Sequence, residues 1–415
     1  MARSAPALST FTAGEISPRL EGRVTIEKYR EGLADLTNMV VQPHGGVTRR
    51  PGTQFLGEVK ASANVTRLIP FEFKTSDTYA LEFGNQYMRI YRNGLQVLTG
   101  SAKAISAITK ANPGVFTSNS HGYSNGDEIA LVNTGGGMTE LQERNYRVAN
   151  VTTNTFTLTD LFDVALNTTG FTTYTGSGVA VDKIYEVATP YTSAQINDVR
   201  FAQSADVMYL VHPSHAVRTL SRTDHNAWTF ATPSFTENTT PSLAGSNNYP
   251  SVVTFFEQRL VFAASNNNPQ TLWFSKNADY TNFTTGTGDN DALIYTIASN
   301  KVNAIRYLSA TRILNIGTSG GEYVLTTTNG SPVTPTSTVI RKYSNYGCVN
   351  AEVVQVADVT LFAQRGARKV REFRYVGEVD VGGYTAPDIT VLAEHLTEGG
   401  IEEFAFQQEP ESIVW

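Results

Sequence analysis

At 415 residues the chain has room for two or three domains, and with 40% hydrophobic and only 17% charged residues it carries a core and is not a disordered chain. The net charge is −6, and residues 351–415 hold twelve Asp/Glu against five Lys/Arg, so the remainder is near neutral and a uniformly basic nucleic-acid-binding face is excluded. A single cysteine, Cys348, excludes an internal disulfide and reads as a small buried apolar residue, and no run approaches roughly 18 apolar residues, so no transmembrane helix is expected.

The opening MARSAPALSTFTAGE has no apolar h-region, so no signal peptide is expected and the chain is made in a cytoplasm. From Thr25 to Val41 the apolar residues Ile26, Tyr29, Leu33, Leu36 and Val40 are spaced 3, 4, 3 and 4. That spacing predicts an amphipathic helix of about four turns, capped by Thr25 and stopped by Pro43. His44-Gly45-Gly46 and Arg50-Pro51-Gly52 then read as turns. Residues 1–60 are assigned to this helix and a docking segment.

Over residues 61–100, Arg67 to Phe73 and Tyr79 to Tyr91 read as strands, with Asn93-Gly94 closing the hairpin. Residues 101–182 are different: nearly free of basic charge, rich in Thr, Gly and Asn, with short alternating strands between Asn-Gly and Gly-Gly turns. They predict an inserted small β-barrel or sandwich.

The hairpin pattern resumes over residues 183–415. Asp206 to Leu220, Arg259 to Ser275, Arg312 to Thr326 and Asp358 to Phe373 each read as an apolar strand, a polar turn and an alternating strand. With the insert set aside, the Tyr79 hairpin joins them, and the five recur at about 50 residues. The fold class is therefore all-β, with β-propeller-like blades, the N-terminal helix and the inserted barrel. An irregular β-sandwich is the alternative. The stretch Ala393 to Glu403 admits a shorter helix. The chain stops at EPESIVW within what reads as a new strand, so further blades are expected beyond it.

Several segments together carry a family likeness. FTAGEISPRLEGRVTIEKYREG with VVQPHGGVTRRPGTQFLG resembles the opening of podovirus tail nozzle proteins, often called tail tubular protein B. FFEQRLVFAASNNNPQTLWFSKNADYTNFT, ALIYTIASNKVNAIRYL, IGTSGGEYVL, SNYGCVNAEVVQVADVTLFAQRGARKVREF and FAFQQEPESIVW are similar to later parts of that family. The insert, with HGYSNGDEIALV and GGMTEL, resembles a small β-barrel of the first catalytic-cysteine half-domain of ubiquitin-activating enzymes, as decoration and without that chemistry.

The resemblance implies a virion subunit of the phage tail: a homo-oligomeric ring, a hexamer, below the portal and adaptor. DNA passes through it at ejection without being specifically bound, and tail fibres or spikes dock on it. Arg19, Arg23, His44, Arg49 and Arg50 are then candidates for subunit or adaptor contact, since Arg is favoured at interfaces; solvated surface charge is the alternative. The basic cluster Arg365, Arg368, Lys369, Arg371 and Arg374 reads as a mixed solvent edge.

No catalytic constellation stands out, and neither a metal nor a cofactor is expected. His212 and His215 read as exposed turn histidines, and Asp289 and Asp291 as a plain turn without the full calcium-loop pattern. GxSxG, Walker A and HExxH are absent, and nothing pairs Glu352, Asp358, Glu372 or Glu378 at a hydrolytic separation. The chain is thus expected not to be an enzyme. A carbohydrate-binding receptor-recognition tail protein and a monomeric scaffold are the rival readings.

Overall fold

A computed structural model of the chain describes residues 8–134, 138, 140–141, 145–243, 245, 247–299, 302–327, 331–377, 383–410 and 412–415. Five antiparallel blades follow one another along it. Blade I contains Arg67–Lys74, Asp77–Gly84, Tyr87–Arg92 and Glu186–Ala188, with Leu95–Gln96 also paired to its third strand. Blade II contains Arg200–Ser204, Val207–His212, His215–Asp224 and Ala227–Ala231. Blade III contains Pro250–Phe256, Arg259–Ser265, Thr271–Phe274 and Leu293–Thr296. Blade IV contains Ile305–Ala310, Leu314–Thr318, Gly321–Thr327 and Thr338–Ser344. Blade V contains Val354–Val356, Val359–Ala363, Val370–Val376 and Gly383–Thr385. The five hairpins read from the sequence are the two middle strands of the five blades.

Strand periodicity explains how the blades stack. In Val207–His212, Met208 and Leu210 pack toward Leu81 and Phe83 of blade I, beside Trp228 of their own blade. Tyr209 and Val211, pointing the other way, pack toward blade III with Val253, Phe262 and Trp273. Middle strands are thus covered on both faces, which is why Arg259–Ser265 is buried throughout. Val261, Leu272 and Phe274 meet Leu308, Ile316 and Leu325 between blades III and IV. Tyr307 and Val324 meet Phe362 and Phe373 between blades IV and V. The first strands of blades II to V surround a wide cleft of about 410 Å³ lined only by uncharged side chains, among them Phe201, Gln203, Thr254, Phe255, Leu308 and Gln355.

The insert leaves blade I after its third strand and returns to supply the fourth. Its seven strands run in the order Ala107–Ile108, Val115–Thr117, Thr155–Thr159, Asn145–Ala149, Glu128–Thr134, Val179–Lys183, Lys103–Ala104. The two edge strands are consecutive in the chain, so a bend between them closes the barrel. At that bend the Ile105 N–H donates to Val179 O at 3.0 Å and the Ser106 N–H to Thr117 O at 2.9 Å. Phe116, Ile129, Phe156, Leu158 and Val181 fill the interior. Of residues 136–141, only 138, 140 and 141 are described.

The helix expected over Thr25 to Val41 is corrected. Only Glu27–Glu31 is helical, as a short 3-10 turn. Gly32–Leu33 pairs in parallel with Gly14–Glu15, and Met39–Val41 forms a hairpin with Val47–Arg49. Gly32 sits against Ile16, where a Cβ would lie 2.9 Å from its side chain. Asp35 accepts from both the N–H and the hydroxyl of Thr37, and Asn38 takes φ 58°, conformations that end a helix. The 3-4 spacing was real, but a four-turn amphipathic helix needs an apolar surface to cover, and in residues 8–66 only Ser17 and Gly45 are buried. Likewise Ala393 to Glu403 holds only the 3-10 turn Glu394–Thr397, followed by Gly399 and Gly400. No helix of the described residues is long and apolar enough to cross a membrane.

Candidate functional site

The segments on either side of blade V meet blade I through charge. Among the described residues no apolar cluster joins the two, and Arg67, at the start of blade I's first strand, makes the junction. Its Nη2 lies 2.5 Å from Glu352 Oε2 and 2.6 Å from Glu403 Oε1. Its Nε donates to Glu403 Oε1 at 2.8 Å, and its Nη1 donates to Val199 O at 2.6 Å. The side chain is only 4% exposed, so these are water-poor, charge-assisted bonds. Arg200 lies alongside, its Nη1 donating to Asn197 O at 2.8 Å and its Nη2 to Asn350 O at 2.9 Å, while its buried Nε has no hydrogen-bond partner. Burial pushes the Glu352 carboxyl above its usual range, against the pull of Arg67 and Arg200.

Around this clasp is a cleft of about 420 Å³, lined by Arg67, Arg200, Glu352, Glu402 and Glu403 with Thr66 and Asn197. Three carboxylates face two guanidiniums. Every nitrogen of Arg67 is engaged within the chain, so the cleft is acidic and suits a further cation.

The expected contact residues lie on the N-terminal arm, residues 8–50. Arg19 is engaged by its own chain: Nη1 pairs with Glu394 Oε1 at 2.5 Å, beside a 2.8 Å contact between His395 Nε2 and Glu15 Oε1 and a 2.7 Å bond from the Ser17 N–H to Leu392 O. Arg23, His44, Arg49 and Arg50 are exposed, and none has an ion-pair partner among the described residues. The structure therefore separates Arg19 from the other four and gathers a different set, Arg67, Arg200, Glu352 and Glu403, which the sequence reading missed. The available signal was the charged residue opening each of two strand runs, Arg67 of RLIPFEF and Arg200 of RFAQS.

Other readings are corrected by burial. His212 is 3% exposed, its ring 5.1 Å from His215 and 5.9 Å from Tyr191. Burial, with His215 beside it, lowers its pKa to about 4. Arg371 belongs to no solvent edge: it stacks 3.3 Å from the Tyr346 ring centre and its Nε donates to Gln364 Oε1 at 2.8 Å. In the Asp289 turn, Arg259 donates to Ser275 O, Asp291 O and Asp289 O at 2.8, 2.7 and 2.6 Å, so a guanidinium supplies the positive charge there. Glu372 pairs with Arg374 at 3.4 Å, and Glu378 lies outside the described residues. Cys348 is buried, its thiol donating to Thr318 O at 3.4 Å.

Glu322, wholly buried in blade IV, was not singled out. Tyr307, Gly317, Glu322 and Ser344 form one row across the four strands. The Tyr307 ring fills the space over Gly317, where a Cβ would lie 1.9 Å from it. Neither Glu322 oxygen has a hydrogen bond of good geometry, and neither do Tyr307 Oη and Ser344 Oγ. Burial pushes the carboxyl up to about 7, although the backbone N–H groups of Tyr346 and Gly347 and the charge of Arg371 draw it down.

No family model and no curated protein matches the sequence. Solved structures resemble the chain only as folds. Phage phi92 endosialidase is 13% identical, with 72% of this chain and 53% of that one covered and a TM-score of 0.29; the chain thus spans about half of its length. The Cps50 (Swd1) β-propeller domain of Myceliophteria thermophila is 11% identical, with 77% and 88% covered and a TM-score of 0.33. AztD from Citrobacter koseri is 9% identical, with 74% and 68% covered and a TM-score of 0.29. Neither nozzle proteins nor the ubiquitin-activating module are among these three. The expectation that the chain is not an enzyme is corrected here: the endosialidase is an enzyme, so a likeness at this level of fold leaves catalysis open.

Proposed function

We propose that the chain is a subunit of a phage tail nozzle, in which copies ring an axial passage for DNA below the portal and adaptor, with tail fibres or spikes docking outside. The reading is carried by the resemblance of separate segments spread along the chain, from FTAGEISPRLEGRVTIEKYREG to FAFQQEPESIVW. It is supported by the arm, which has almost no core of its own and presents exposed arginines with no ion pair among the described residues, as a segment made to rest on another surface does. The excess of acid in residues 351–415 suits passage, because carboxylates repel phosphate. Purified assemblies are expected not to retain duplex DNA at physiological salt; tight retention would count against a passage.

A second reading, a carbohydrate-binding receptor-recognition protein, is favoured by one observation. At the rim between blades IV and V, Tyr384 lies 5.2 Å from Tyr343 and 5.3 Å from Tyr375, and Tyr375 is 59% exposed. Aromatic faces beside hydroxyls suit a sugar ring. A glycan screen that returns a ligand lost on Tyr375→Ala would move weight to this reading.

A further inference from the structure

The arm and the C-terminal segment meet within one chain at Arg19 and Glu394, and beyond that pair each carries exposed charge with no ion pair among the described residues. On the arm, Lys28 pairs with Glu31 and Arg19 with Glu394. Arg23, Arg30, Arg49 and Arg50 are exposed, with no ion pair among the described residues. Arg49 and Arg50 end a hairpin fixed by three paired positions, Met39 with Arg49, Val40 with Thr48 and Val41 with Val47, and by the Arg50 N–H donating to Asn38 O at 2.9 Å. They are held on a β-hairpin rather than on a free tail. The opposite set lies at the other end of the sequence. Residues 386–415 contain seven acidic residues and neither Lys nor Arg. Glu402 is exposed and lines the cleft beside Glu352 and Glu403; against the two guanidiniums there, Arg67 and Arg200, these leave one carboxylate in excess, and Arg67 has no donor left to give.

We propose that the cleft formed by Glu352, Glu402 and Glu403 receives the Arg49–Arg50 corner of the arm from a second copy of this chain. This rests on the nozzle reading, since it names the contact by which copies join. The contact is head-to-tail: the arm of each copy occupies the cleft of the next, and each copy's own arm remains for the following neighbour. Such a contact propagates, and it closes into a ring when the rotation between copies allows. Arginine suits the position, because its planar fork meets carboxylates in pairs and keeps its charge when partly desolvated.

Charge reversal tests the contact. Among the described residues Glu402 accepts no hydrogen bond and, like Arg49 and Arg50, it is exposed, so the variants Arg49→Glu with Arg50→Glu, and Glu402→Arg, should keep the melting profile of the unchanged chain. Each variant alone is expected to associate more than about a hundredfold more weakly, since it sets like charges together. Mixed one to one, they are expected to assemble again, because the acidic arm of one meets the basic cleft of the other. Two folded variants that still assemble like the unchanged chain would overturn the contact and leave the ring standing. So would two monomeric variants that fail to rescue each other. An unchanged chain that stays monomeric at every concentration, alone and with its virion neighbours, would overturn the nozzle reading and this contact with it.

Discussion

Glu322 and His212 are buried ionisable groups whose pKa values move in opposite directions. Burial penalises the charged form in both cases, so the carboxyl rises to about 7 and the imidazole falls to about 4. For Glu322 the folded value exceeds the ordinary 4.5. Its contribution to stability is therefore complete below pH 4.5 and is lost as pH rises through 7, a loss of about 3 kcal/mol. Denaturant unfolding of Glu322→Gln beside the unchanged chain should show this loss between pH 4.5 and about 7 in the unchanged chain alone. Parallel pH curves would mean that Glu322 has a partner or is solvated. His212 has the reverse sign in pH. Its folded value lies below the ordinary 6.5, so its contribution is present above 6.5 and is lost as pH falls through 4. His212→Phe should flatten the acid limb of the stability curve between those values. Neither group was legible in the sequence. A Glu directly after a Gly-Gly pair, or a His in VHPSHAV, reads as a turn residue until the neighbouring blade covers it.

At the scale of elements, the attachment of the insert turns on Arg89. Its side chain is 1% exposed, its Nη2 is 2.7 Å from Glu128 Oε2 of the barrel, and it is 3.2 Å from Glu186 Oε2 of blade I's returning strand. Removing one member of a buried pair strands the other charge, so Arg89→Met should destabilise the chain by roughly 3–5 kcal/mol. Calorimetry would check it, and a change within about 0.5 kcal/mol would show that Glu128 finds water instead. The hairpins of the blades were legible because period-two alternation and polar turns are local signals. Here both faces of a strand are buried, so Met208-Tyr209-Leu210-Val211 has no polar face at all, yet its turn residues still mark the ends. The false helix over Thr25 to Val41 came from reading the same local signal without its tertiary condition. Spacing states which residues share a face, but not whether any surface exists for that face to cover.

Over the whole molecule, stacking of apolar faces joins blades I to V in series, and Arg67 ties the segments flanking the last blade to the first. Arg67→Ala should leave Glu352 and Glu403 without their cation while the four apolar junctions persist. The expected result is earlier proteolysis within residues 386–403 and no loss of blade structure by circular dichroism. An unchanged cleavage pattern would show that the junction does not depend on this residue. The clasp could not have been read from the chain, because Arg67 is hundreds of positions from both Glu352 and Glu403 and no periodicity links them. Arg23, Arg49 and Arg50 were legible as interface candidates, and the structure leaves all three exposed. The central claim, that copies assemble around a passage, is tested most directly by light scattering of the purified chain, alone and mixed with its virion neighbours. The account predicts a mass at a whole multiple of 45.2 kDa and particles with an axial hole under negative stain. A mass of one chain under every condition would contradict it.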